Sequence, residues 1–178
     1  MCAKTETFLN DNWTLYFHDP NDISWETDSY KALTTIGSVE DFWSVYKTIT
    51  TDQWTKGMFF LMREHIQPVW EDPCNENGGC FSMKTMKQHT NDIWLQTSMR
   101  ILGEDFAVKG ANSQIVTGLS MSPKKNSSII RVWLSDNTFN DPVNFKFNNC
   151  PNYTDLLYKS HKAGTVSNVL FNPSAVSV

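Results

Sequence analysis

The spacing of apolar and polar positions changes period several times along the chain. Asn12-Trp13-Thr14-Leu15-Tyr16-Phe17-His18 alternates large and small residues at period two, then runs into Asp19-Pro20-Asn21-Asp22. Period two marks a half-buried strand and the following residues are turn chemistry, so this segment predicts the first strand. Met58 to Arg63, Cys80 to Lys84, Ser113 to Met121 and Ser127 to Leu134 are further strand candidates, rich in β-branched or aromatic residues and separated by polar loops.

Two segments follow the helical period instead. Ser38 is placed to cap a helix from Val39 to about Ile49, with Asp41 in its first turn and Phe42, Tyr46 and Ile49 on one stripe. Val39 and Trp43 lie on a neighbouring stripe. Thr90 or Asn91 can cap a second helix running to Leu102 and stopped by Gly103. Its stripes are Trp94-Ser98-Ile101 and Leu95-Met99-Leu102. Each helix carries more apolar surface than one sheet-facing side requires. Either the helices also pack on each other, or Val39, Trp43, Leu95, Met99 and Leu102 form an exposed patch for a partner helix. Periodicity alone does not choose.

With 178 residues, no internal repeat and 40% apolar content, the chain predicts a single folded domain over 10–178, preceded by a mobile arm over 1–9. A net charge of −4 argues against nucleic-acid binding through a broad basic face, so any such contact is local. Apolar runs such as Met58-Phe59-Phe60-Leu61-Met62 are too short to span a bilayer, and the first residues lack a signal-peptide core. A soluble, monomeric, cytoplasmic protein is expected, with Cys2, Cys74, Cys80 and Cys150 as free thiols.

Of the seven tryptophans, Trp13, Trp94 and Trp133 fall inside regular elements and read as core, while Trp54 is ambiguous. Trp25 and Trp70 stand in polar loops, each beside a carboxylate. Two loop indoles can sandwich a flat ring, and a positively charged ring gains about 0.5–2 kcal/mol of cation–π attraction on each face. A neighbouring carboxylate can accept the ring's N–H donors. A cationic purine is the ligand this suggests, and Lys124-Lys125 in a turn after Pro123 is the basic element that could meet its phosphates. The histidines show no metal-ligand spacing, and no Gly-rich phosphate loop or G-x-S-x-G is present. No cofactor or enzymatic activity is expected.

The order of Asn12-Trp13-Thr14-Leu15-Tyr16-Phe17, Ser24-Trp25, Val39-Glu40-Asp41-Phe42-Trp43, Pro68-Val69-Trp70-Glu71-Asp72, Gly78-Gly79, Ile93-Trp94-Leu95-Gln96-Thr97, Leu102-Gly103-Glu104 and Val132-Trp133 resembles the eukaryotic translation initiation factor 4E family, the mRNA cap-binding proteins. The resemblance implies an α+β fold: a strongly curved antiparallel sheet of about eight strands backed by two or three helices, with the cap pocket on its concave side. It implies that Trp25 and Trp70 stack on the two faces of 7-methylguanine, that Glu71 accepts hydrogen bonds from the base edge, and that Lys124, assisted by Lys125, meets the phosphates. It also implies that Val39, Glu40, Trp43, Leu95 and Met99 dock a helix from the scaffold subunit, initiation factor 4G, or from repressors carrying Tyr-x-x-x-x-Leu-hydrophobic.

The chain departs from the family pattern in three places. Cys80 and Phe81 stand where arginine and tryptophan are usual, and Ile129 stands at a second basic phosphate position. Each lost charge-assisted contact costs on the order of 1.5–3 kcal/mol unless Arg131 or Lys125 substitutes. The Asn-rich stretch from Asp136 to Pro151, with Pro142 inside it, predicts a shortened or missing third family helix. These departures mark a divergent member.

Overall fold

A computed structural model describes residues 6–108, 112–147 and 153–162. Seven strands are present among the described residues: β1 (Phe8–His18), β2 (Tyr30–Ser38), β3 (Met58–Arg63), β4 (Gly79–Met86), β5 (Val116–Pro123), β6 (Ser127–Leu134) and β7 (Tyr153–Ser160). They form one sheet in the order β2-β1-β3-β5-β6-β4-β7, antiparallel throughout. The α-helices are α1 (Val39–Thr48), α2 (Thr51–Lys56) and α3 (Lys87–Leu102).

Successive strand residues point to opposite faces, and the sheet uses both. Leu15, Leu61, Leu119, Val132 and Phe81 join Phe42, Trp54 and Trp94 from the helices in the main core. Tyr16, Met58, Phe60, Met62 and Trp133 form a second apolar cluster on the face turned away from the helices. Trp133, expected in the core, is therefore buried on the other side of the sheet from Trp13 and Trp94. The glycine pair ahead of β4 is a packing requirement: a Cβ on Gly78 would overlap the Leu134 carbonyl, and one on Gly79 the Tyr158 hydroxyl.

Helix α1 begins as its sequence predicts. Ser38 Oγ accepts the Asp41 N–H at 3.1 Å while the Asp41 carboxylate accepts the Ser38 N–H at 3.1 Å, a closed capping box. Helix α2 is too short to show a period, yet Thr50 and Gln53 build the same reciprocal cap, and this Thr-x-x-Gln signal was readable in the sequence. It buries Trp54 against Phe59, Tyr46 and Trp94, which resolves that tryptophan as core.

Three expectations need correction. Helix α3 starts at Lys87 rather than after Thr90, because β4 runs straight into it through Met86; the Thr90 hydroxyl donates to the Met86 carbonyl instead of capping. Phe8 and Leu9, expected in the arm, belong to β1, and the Thr7 carbonyl accepts the Val39 N–H. Leu102 is 4% exposed and belongs to the core, so it leaves the proposed helix patch. Within the Asp136–Pro151 stretch, the described residues hold two 3-10 turns, Asn137–Phe139 and Pro142–Asn144, and no α-helix. Phe145 and Phe147 from this stretch pack on Phe81. Cys74 and Cys80 are free thiols; Cys2 and Cys150 lie outside the described residues. No helix among the described residues is long and apolar enough to cross a membrane.

Candidate functional site

The two tryptophan loops leave the sheet at opposite ends. Strand β1 exits at His18, opposite Met58, whereas β3 exits at Arg63, opposite Trp13. Loops leaving by opposite ends and folding over one face can confront each other, as a two-sided clamp requires.

The β1–β2 loop is shaped by its own side chains. Asp19 Oδ1 accepts the Asn21 N–H at 2.9 Å and Asp22 Oδ1 the Ser24 N–H at 2.9 Å. These local bonds stand in for ladder bonds that a short loop cannot make. Behind the loop, His18 Nε2 lies 2.8 Å from the Ser24 carbonyl, and its ring stacks on Trp25. Trp25 remains 56% exposed.

The β3–β4 loop is held by two residues that the sequence reading passed over. The Asp72 carboxylate accepts the backbone N–H groups of Gln67, at 2.9 Å, and Cys74, at 2.8 Å. The fully buried Asn75 side-chain amide donates to the carbonyls of Gln67 and Val69, while the Asn75 backbone carbonyl faces His161 Nδ1 at 2.8 Å. In Trp70-Glu71-Asp72, then, Asp72 folds the loop that presents its two neighbours. Trp70 is 54% exposed and Glu71 is exposed.

Between the loops lies an aromatic floor. His18 contacts Tyr30 at 4.9 Å, Tyr30 contacts Phe60 at 5.1 Å edge-on, Phe60 contacts Trp133 at 6.4 Å, and Trp133 contacts His161 at 5.2 Å. The Trp133 indole N–H donates to Ser120 Oγ at 2.9 Å, which fixes its ring. Glu71 acts electrostatically on both Tyr30 and His161. Burial, reinforced by the Glu71 charge, pushes the Tyr30 phenol up to about 12. His161 is pulled below the usual imidazole range by burial and by Lys159, against the opposing pull of the Asn75 carbonyl and Glu71. The structure thus brings Trp25 and Glu71 to one aromatic surface. His18, Tyr30, Trp133 and His161 were missed as neighbours of the site because strand order, not local sequence, gathers them.

Lys124 and Lys125 are exposed in the β5–β6 turn, closed by the Lys124 N–H to the Ser127 carbonyl at 2.8 Å. Cys80 lies on the open face, cross-strand from Trp133 and Lys159. Burial pushes its thiol up, against the pull of Arg131, Ser82 and Lys159. A thiol held protonated is the opposite of an activated nucleophile.

On the helix side, Val39, Trp43 and Met99 are exposed and Leu95 is half-buried. An open groove is lined by Val39, Glu40, Trp43, Ser44 and Lys47. Glu40 accepts the Thr7 N–H at 2.9 Å, which holds its carboxyl below the usual range.

The family profile described as eukaryotic initiation factor 4E matches residues 8–171. The chain belongs to the eukaryotic initiation factor 4E family. It is 33% identical over 135 residues to eukaryotic translation initiation factor 4E-1 of Caenorhabditis elegans, covering 72% of this chain and 62% of that protein. It is 36% identical over 109 residues to factor 4E-3 of Arabidopsis thaliana, covering 58% of this chain and 45% of that one. The matches thus span about half to two thirds of these relatives' length. Among solved structures, C. elegans eIF4E-3 in complex with the 4E-binding protein Mextli and a cap analogue superposes with a TM-score of 0.74 at 26% identity, covering 88% of this chain and 94% of that one. A schistosome eIF4E complexed with m7GpppG and 4E-BP gives 0.78 at 21% identity, over 93% and 96% of the two chains, and supports the fold.

Proposed function

We propose that the protein binds the 7-methylguanosine cap of mRNA, with Trp25 and Trp70 stacking on the two faces of the base and Glu71 accepting its ring N–H donors. Lys124 and Lys125 meet the phosphates from the rim. The observation that carries this reading is the presentation of two exposed loop indoles and an exposed carboxylate by loops fastened from behind, through His18, Asp72 and Asn75. The cap analogue bound by the C. elegans eIF4E-3 relative supports it. Methylation at N7 makes the base a cation, so electron-rich indoles and one carboxylate favour it over unmethylated guanine. No step of this function requires a bond to be made or broken.

The test is a fluorescence titration with m7GTP and with GTP, using Trp25→Ala, Trp70→Ala and Glu71→Gln. Tight quenching by m7GTP, weak quenching by GTP and loss of the difference in each variant is the expected result. Equal, weak quenching of the unaltered protein by both nucleotides would defeat the reading.

The groove at Val39, Glu40 and Trp43, with Leu95 and Met99 beside it, favours docking of an amphipathic helix. Such a helix would come from the scaffold subunit, initiation factor 4G, and the protein would recruit capped mRNA for initiation. If the groove takes only repressor helices, the protein is a cap-binding competitor, and capture on scaffold peptides separates these roles.

A further inference from the structure

The sheet carries two arginines in contrasting states. Arg63 is saturated: its guanidinium meets the carboxylates of Asp11 and Glu104 and the carbonyls of Val116 and Ser113. Arg131, half-buried on the open face, has as its hydrogen-bond partner the Ser122 hydroxyl at 3.3 Å. Among the described residues neither Arg131 nor Lys159 forms an ion pair. A guanidinium offers five donors in a fixed fork, so those that Ser122 does not use are open to an anion.

The register shows where such an anion would sit. Arg131 pairs with Ser82 on β4, and Cys80, two residues along the same strand and face, pairs with Lys159 on β7. Strand spacing puts the backbones of Arg131 and Lys159 roughly 12 Å apart, so two long side chains can converge over Ser82 and Cys80. Both charges are felt at the Cys80 thiol. Arg131 also lies on β6 between Trp133 and the turn that bears Lys124 and Lys125. In a chain of net charge −4, this strip is a local concentration of cations beside the aromatic floor.

We propose that Arg131 and Lys159 form a phosphate subsite on the floor of the cleft, taking the 5′ triphosphate of the cap nucleotide and replacing the basic contacts absent at Cys80 and Ile129. The base is held as set out under Proposed function, and the assignment of this phosphate to a cap rests on that reading. Shifting the cations to β6 and β7 lets β4 carry an uncharged thiol at its centre.

Binding of 7-methylguanosine, m7GMP, m7GTP and a capped pentanucleotide to the full chain, Arg131→Gln, Arg131→Lys and Lys159→Gln tests this. Arg131→Gln and Lys159→Gln are each expected to lose about 10- to 100-fold in m7GTP affinity, with nucleoside affinity unchanged and weaker dependence on salt. Arg131→Lys should recover part of the loss. Equal losses for nucleoside and triphosphate would make Arg131 a purely structural residue, and unchanged m7GTP affinity would remove the subsite. Either result overturns the proposal. Loss confined to the capped pentanucleotide would move the contact to the RNA backbone and overturn the assignment to the triphosphate. If the unaltered protein binds GTP and m7GTP equally but Arg131→Gln weakens both, the phosphate subsite stands and the base reading falls.

Discussion

The imidazole of His18 lies flat against the indole of Trp25, with ring centroids 4.6 Å apart and planes inclined by 7°. An exposed indole needs backing if it is to meet a ligand in one orientation, because a free side chain loses rotamer entropy on binding. His18 supplies it twice, by stacking and through the Nε2 contact to the Ser24 carbonyl. His18→Ala is expected to weaken m7GTP binding about 5- to 30-fold, the equivalent of about 1–2 kcal/mol for one aromatic contact and one hydrogen bond. His18→Phe keeps the stack and should recover part of the affinity. Fluorescence titration of both variants checks this, and undiminished binding by His18→Ala would show that the loop holds Trp25 unaided.

Asp72 is the corresponding fastening on the other loop. Its carboxylate accepts two backbone N–H groups from either side of it in sequence, Gln67 and Cys74. Asp72→Ala should lower stability by about 1–3 kcal/mol and weaken cap-analogue binding although Trp70 and Glu71 are untouched. Denaturant unfolding and titration on the same preparation measure both. Normal affinity in a destabilised variant would separate the loop's fold from ligand binding.

His161 gives the site a pH signature. Its folded-state proton affinity lies below that of a free imidazole, with burial the largest cause. The unfolded chain therefore binds the proton more readily, and stability rises with pH across the imidazole range. The contribution is present above about pH 6.5 and is lost as pH falls below it. The lowered carboxyls of Asp41 and Asp105 act only in more acidic solution. His161→Gln should flatten the decline in unfolding free energy between pH 7 and pH 5.5. An equally steep decline in the variant would assign it to other groups.

The parts of the fold that were legible in sequence share one property: their signals are local. Ser38 with Asp41 marks α1, period two marks β1, and β3 and β6 fall on the bounds that their composition predicts. The start of α3 was not legible, since Met86 offers no cap and only β4 fixes where the helix begins. The candidate site divides in the same way. Trp25 and Trp70 stand out as loop indoles beside carboxylates, but Asp72 and Asn75 act through bonds within a folded loop. Arg131 and Lys159 come to one face of the sheet only through the pairing of β6 and β7 with β4.

Trp43 separates the two faces of the molecule. It is 37% exposed and packs edge-on against Phe42 and Tyr46 on the helix side, whereas the aromatic floor lies on the other side of the sheet. Trp43→Ala should abolish capture by a peptide carrying Tyr-x-x-x-x-Leu-hydrophobic and leave m7GTP affinity within about twofold, because a central aromatic anchor dominates such an interface. Peptide pull-down and cap-analogue titration on one preparation read the two effects. Retained capture would move the docking surface elsewhere on the helices.

Arg63 joins strand, helix end and loop in one network. Its side chain is 7% exposed, its guanidinium lies 4.6 Å from the Trp13 ring centroid, and it bridges Asp11 on β1 to Glu104 beyond α3. Removing the cation would leave two carboxylates facing each other beside the orphaned carbonyls of Val116 and Ser113. Breaking such a network from one side is far more damaging than never having built it, because the Glu104 carboxylate, its side chain 12% exposed, stays desolvated. Arg63→Met is therefore expected to cost about 3–5 kcal/mol in unfolding free energy. Replacing Glu104 by Gln in the same background should restore part of that loss, since it removes the more deeply buried of the two carboxylates. Chemical denaturation of the single and double variants decides the point: a double variant no more stable than Arg63→Met would mean that Glu104 gains its solvation elsewhere and the network is not a unit.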